Sequence, residues 1–200
     1  MHTFAHNTYL ALGHIRCREL MLYWALRDKI CPPKEKAVLF VAHPDDDTLF
    51  FHTFIKEHKP YVVLMTAGWS MRRLPCFMKA MKWYGVRYRA FDMDTKDKRE
   101  KLLQSRIKSI LDNDHFNLCA THNSTGEYGH EMHIRVHNAV CANATIPVYT
   151  PAFKETIADF PLPKEIIEEK KYVFNNIYTT ESWILEENAQ WVKHEHLNIN

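Results

Sequence analysis

Short β-branched and aromatic runs alternate with longer amphipathic stretches through most of this chain, and that alternation restricts the fold more than any other feature. "AVLFVA" (37–42), "YVVLMTA" (61–67), "VRYRAFDM" (86–93), "FNLCATH" (116–122) and "IPVYT" (146–150) read as strands. Between them "DTLFFHTFIKEH", "MRRLPCFMKAMKWYG", "KDKREKLLQSRIKSILD" and "HEMHIRVHNAVCA" read as helices. In the third of these, Leu102, Leu103, Ile107, Ile110 and Leu111 share one face. Pro75 falls near the start of the second helix or kinks it. Repeated strand–helix alternation predicts an α/β fold with a mostly parallel sheet and helices on both faces.

In such sheets ligands bind in the crevice beyond the carboxyl ends of the strands. "AHPDDD" leaves the first strand, "AGWSMRR" the second and "THNSTGEYGHEMH" the fourth, so all three should converge on one rim. After residue 151, "LPKEIIEEKKYVFNNIYTTESWILEENAQWV" reads as helical and is followed by a polar tail. No internal repeat or linker divides the chain, and 200 residues suit one domain. The expected organisation is an N-terminal helical extension over 1–36 and a single domain over 37–200.

Composition narrows the function classes. A net charge of +2 gives no electrostatic case for nucleic acid. The five cysteines are scattered without a C-x-x-C pair, which suggests neither a disulfide framework nor a thiolate zinc knuckle. A reducing, cytoplasmic setting fits them. The apolar stretch "YLALGHIRCRELMLYWAL" is broken by His14, Arg16, Arg18 and Glu19, so it is read as a surface helix and not as a membrane span or signal peptide. The pattern neither requires nor excludes a homo-oligomer.

The chemistry lies in two motifs. In "HPDDD", Pro44 stops the strand and any one aspartate can cap the next helix, where the dipole favours negative charge. A cap needs one carboxylate, not three in a row after a histidine. The functional reading lets His43 and Asp46 reach one ion from a tight turn, with Asp45 free to act as general base toward water. In "HNSTGEYGHEMHIRVH", Gly126 and Gly129 permit a tight loop, and His130, His133 and His137 follow at helical spacing. Each histidine alone reads as a hydrogen-bonded side chain, but three at this spacing on the same rim as "HPDD" read as a metal site. The spacing alone does not say which of them completes it. H-E-x-x-H is absent, so a zincin-type protease helix is not supported. No G-x-G-x-x-G follows the first strand, which argues against a nucleotide cradle.

"AHPDD" after a first strand, paired with a later "GEYGHEMH", resembles the LmbE-like (PIG-L) family of zinc-dependent N-deacetylases over roughly residues 37–140. "KKYVFNNIYTTE" is similar to that family's later Lys…Tyr helix. The resemblance implies a Rossmann-like three-layer sandwich and removal of acetyl groups from N-acetylglucosamine-type substrates or their conjugates. It implies one Zn2+ per chain held by His43, Asp46 and His133, although His/Asp sites accept other divalent ions too. Asp45 becomes the general base. A protonated His130, with Tyr128, stabilises the oxyanion. Asp47 stands where the family has Glu and is assigned a supporting contact behind the ligands. Glu131-Met132 between the histidines and the loose Thr-x-Gly after strand two also depart from the family pattern. Arg72 or Arg73 could bind an anionic group on the substrate, and Trp69 could stack on a sugar ring. The alternative expectation is a metal- or sugar-binding module of the same fold that has lost turnover.

Overall fold

Ala37–Val41 is buried at every residue, as a strand covered on both faces must be. It forms the central β1 of the computed structural model, which describes residues 18–66, 72–93, 99–112 and 115–199. A helix whose described part covers 18–30 (α1) precedes it. There follow α2 (Asp46–His58), β2 (Tyr61–Leu64), α3 (Arg73–Tyr84), β3 (Tyr88–Ala90) and α4 (Glu100–Leu111). Then come β4 (Leu118–Ala120), a short turn α5 (Gly126–Gly129), α6 (Glu131–Asn143) and β5 (Val148–Pro151). The chain closes with α7 (Lys164–Asn176), α8 (Ile184–Glu187), α9 (Ala189–Lys193) and β6 (Leu197–Ile199).

The sheet order is β3-β2-β1-β4-β5-β6. Every pairing among the first five strands is parallel, and β6 joins β5 antiparallel. The α/β architecture expected from the alternation is the one that forms. Two apolar clusters divide the strand side chains between the two faces. Leu39, Val41 and Val62 pack with α2, α3 and α7, whereas Val38, Phe40 and Val63 pack with α4 and α6. From α1, Trp24 is 2% exposed and inserts into the first cluster. No helix among the described residues is long and apolar enough to cross a membrane.

Strand order reverses at β1, with β2 and β3 added on one side and β4 and β5 on the other, which opens a crevice at the carboxyl ends of β1 and β4, as expected for a doubly wound sheet. Polar contacts tie α2 to α3 and α7. Lys170 is fully buried and donates to the carbonyls of Leu49 and Trp191, both at 2.8 Å, and to Glu195 at 3.2 Å. A chain of hydrogen bonds runs from Thr48 to Tyr84 (3.0 Å), His52 (2.8 Å) and Glu169 (3.0 Å), joining α2, α3 and α7.

His52 in that chain supplies an acid-sensitive contact. Burial is the main cause that lowers its pKa from 6.5 to about 4. Above pH 6.5 neither folded nor unfolded chain protonates this ring, so it contributes nothing to pH dependence. Between pH 6.5 and 4 the unfolded state takes up a proton that the folded state refuses, and stability falls by up to about 3 kcal/mol. Urea unfolding at pH 8, 6 and 4.5 should show this decline, and His52→Gln should flatten it. An unchanged slope in the variant would assign the acid lability elsewhere.

Candidate metal centre

The turn between β1 and α2 places the three aspartates on three different tasks. None of their side chains caps α2, since the N–H groups of Thr48 and Leu49 bond the Asp45 carbonyl at 3.0 and 2.9 Å. Asp45 itself has φ 101°, a conformation that costs a non-glycine residue about 1–3 kcal/mol. Its surroundings hold it there. The Asp45 N–H donates to Asp47 Oδ1 at 3.2 Å, and Arg73 donates to the Asp45 carboxylate at 2.7 Å and to the Pro44 carbonyl at 2.8 Å. Arg73 also pairs with Glu181 at 2.9 Å. Burial is the main cause that pushes the Asp45 carboxyl well above the usual range, helped by Asp46 and opposed by Arg73.

Asp46 lies at the centre. Its Oδ2 is 3.3 Å from His43 Nδ1, 3.3 Å from His133 Nε2 and 3.3 Å from His122 Nε2. It also accepts the His43 N–H at 2.7 Å. Burial alone would raise its pKa, but His133, His122 and His43 together hold it well below the usual carboxylate range. For His133 burial works downward, and the carboxylates of Asp46 and Glu127 overcome it and lift the ring to about 10. Burial lowers His43.

Among the described residues, two overlapping groups of side chains can hold an ion: His43, His130 and His133, and Asp46, His122 and His133. His122 is already engaged, because its Nε2 accepts the Ala42 N–H at 2.9 Å while its Nδ1 faces Glu127 at 3.1 Å. The donor set that the family resemblance implies, His43 Nδ1, Asp46 Oδ2 and His133 Nε2, takes members from both groups. Their mutual separations are 3.3, 3.3 and 3.1 Å. Tetrahedral zinc bonds of about 2.0–2.1 Å imply donor–donor edges of about 3.4 Å, so the three atoms fit one ion closely. His43 Nε2 is buried without a hydrogen-bond partner among the described residues. Glu127 Oε2 braces His133 Nδ1 at 2.6 Å, as a carboxylate behind a ligating histidine does.

The turn α5 makes that brace possible. Gly126 has φ +67°, and a Cβ there would lie 2.9 Å from Ile134 Cγ1. Glu127 follows at φ 57°, which aims its carboxylate back at His122, His133 and the Asn123 N–H. Its pKa falls to about 2, because His122 and His133 outweigh burial.

His130 caps α6: its Nδ1 accepts the Met132 N–H at 3.2 Å, so the ring proton sits on Nε2. Burial is the main cause that lowers its pKa to about 4, with His43 and His133 adding to it. The family resemblance implies a cationic ring here, and the geometry gives a neutral one that can still donate from Nε2. Its ring centroid is 4.5 Å from that of His43. The Tyr128 ring meets His130 edge-on at 6.0 Å and is 45% exposed. His137 is elsewhere, with its Nδ1 against the His122 carbonyl at 2.8 Å. Asp47 is fully buried, accepting from Tyr178 at 2.6 Å and Thr48 at 3.0 Å, and burial is the main cause that raises its pKa to about 6.

His43, Asp45, Asp46, Tyr128 and His130 line a cleft of about 500 Å³ whose walls include Arg73, Lys154, Glu181, Trp183 and Asn188. Arg72 is exposed at the start of α3, and its neighbour Arg73 is the one in the cleft. Trp69 lies outside the described residues. Sequence reasoning assigned no role to His122, Glu127, Glu181 or Trp183. Glu127 was the most accessible of these, sitting between two glycines and the histidines it braces.

Fold and site together define an α/β protein with a buried His/Asp cluster able to hold a metal ion at the switch point of its sheet. No family model matches the chain. It is similar to the uncharacterized protein L374 of Acanthamoeba polyphaga mimivirus, 19% identical over 183 residues, covering 81% of this chain and 79% of that protein. Among solved structures it is similar to GalB, the 4-carboxy-2-hydroxymuconate hydratase of Pseudomonas putida KT2440. The TM-score is 0.55 and the identity 16%, covering 78% of this chain and 81% of that one. The conserved protein TT1542 of Thermus thermophilus gives a TM-score of 0.48 at 11% identity, over 78% and 83% of the two chains. The GalB likeness supports the fold.

Proposed function

We propose that this protein is a zinc-dependent amide hydrolase of the LmbE-like type that removes the N-acetyl group from an amino sugar or sugar conjugate. The observation that carries this reading is the set of three donor atoms 3.1–3.3 Å apart, with the Asp45 carboxyl beside them on the floor of an open cleft. A divalent ion held by His43, Asp46 and His133 supplies Lewis-acid polarisation of the amide carbonyl and a lowered pKa for water. The chain's own groups do the rest. Asp45, a carboxyl lifted by burial, accepts the proton of the attacking water and returns it to the leaving amine nitrogen. His130 Nε2–H and the Tyr128 hydroxyl donate to the carbonyl oxygen as its charge grows. The rings of Tyr128 and Trp183, 45% and 49% exposed, offer faces to a sugar, and Asn188 and Glu181 offer hydrogen bonds.

The 2.7 Å Arg73–Asp45 ion pair favours a second reading, a metal- or sugar-binding module whose base is tied up. One experiment separates the two. The purified protein should hold about one zinc per chain and release acetate from at least one member of a panel of N-acetylated amino sugars. An unsaturated carboxylate belongs in the same panel, because GalB is a hydratase. Metal without turnover on any substrate would select the binding module.

A further inference from the structure

At the sheet edge opposite β6, guanidinium groups outnumber the carboxylates available to them. Arg89 of β3 and Arg106 of α4 both lie over the ring of Phe91, 4.6 and 5.1 Å from its centroid. With Arg18, Met21, Leu22 and Asp92 they line a cleft of about 390 Å³ between α1, the end of β3 and α4. This cleft shares no lining residue with the metal centre.

The described acids nearby are already committed. Asp92 pairs with Arg106 at 2.6 Å and is the single carboxylate lining the cleft among the described residues. Asp28, behind Arg89, accepts from Arg27 and Arg87 at 2.8 Å each and from the Tyr61 hydroxyl. Arg89 reaches Asp28 only at 3.6 Å, beyond hydrogen-bonding distance. Arg89 Nε and Arg106 Nη1 are buried and have no hydrogen-bond partner among the described residues. Both side chains keep an edge open to the cleft, 18% and 20% exposed. Stacking on Phe91 fixes the two guanidinium planes in advance, which reduces the ordering cost of binding an anion.

We infer that this cleft is a second ligand site, for a phosphate monoester with an apolar or aromatic substituent. Among the described lining residues, three guanidinium groups against one carboxylate leave an excess of two positive charges, which matches the charge of a phosphomonoester dianion. Met21, Leu22 and Phe91 provide the surface for the substituent. Guanidinium groups bind phosphate oxygens through paired, charge-assisted hydrogen bonds.

Titration calorimetry with phenyl phosphate at low salt tests the inference, with excess chelator present so that phosphate does not report on a metal ion. Saturable binding is expected, tighter than that of inorganic phosphate. Arg106→Gln and Arg89→Gln should each weaken it about tenfold or more, while Arg135→Gln, whose arginine pairs with Glu100 away from the cleft, should not. If Arg89→Gln fails to fold, the Arg106→Gln result decides. Parallel sedimentation with phosphatidic acid vesicles distinguishes a lipid headgroup from a soluble ester: Arg106-dependent partition places the phosphate on a lipid, and no partition places it on a soluble molecule. Absence of saturable phenyl phosphate binding, or binding that neither arginine substitution weakens, would overturn the inference.

Discussion

Asp45→Asn is expected to keep its metal and lose about 10²- to 10⁴-fold in turnover, the range for removing a positioned general base. Asp45 is outside the donor set, which its neighbours His43 and Asp46 supply with His133. The amide is nearly isosteric, and its oxygen can still accept from Arg73 at the position now 2.7 Å away. It cannot take a proton. The amide keeps the side-chain shape and the Arg73 contact, so circular dichroism should show the wild-type fold. The measurement is acetate release per metal-loaded chain, with metal content determined on the same sample. A variant as active as wild type would remove Asp45 from the chemistry and leave the site without its proposed base.

The same turn shows what a sequence reveals of such a site and what it hides. The five strand runs were legible because each is a short apolar burst between helical periods; each forms a strand, four of them shorter than the run and the fifth shifted to Val148–Pro151. Strand β6 was not, because Leu197–Ile199 lies in a polar tail and owes its extended form to pairing with β5. The long helical pattern after residue 162 breaks at Tyr178, which leaves α7 to hydrogen-bond Asp47. That contact gives Asp47, at the position where a glutamate was expected, a hydrogen-bond partner no sequence pattern announces. His122 escaped notice because it is one histidine at a strand end, and the partner that fixes its Nε2 is the backbone of Ala42, eighty residues earlier. Choosing between Arg72 and Arg73 required the phase of α3 at its first turn, where helix boundaries are least legible from sequence.

His133→Ala should empty the metal site, whereas His137→Ala should not. Only His133 belongs to both groups of described side chains able to hold an ion, and its Nε2 closes the donor set at 3.1 Å from His43 and 3.3 Å from Asp46. His137 shares its helix but spends Nδ1 on the His122 carbonyl. Removing the His133 imidazole also leaves Asp46 and Glu127 facing each other across a buried gap, and breaking such a buried pairing costs about 3–5 kcal/mol. His133→Gln, which fills more of that gap, therefore belongs beside the alanine variant. If both are folded by circular dichroism and both lack metal, the loss is one of ligation. Glu127→Gln should weaken the metal by about 10- to 100-fold without abolishing it, as expected for a residue that orients a ligand. Competition with a chromophoric chelator ranks all four variants on one scale. If His137→Ala emptied the site while His133→Ala remained loaded, the donor set would have to be redrawn around a different histidine.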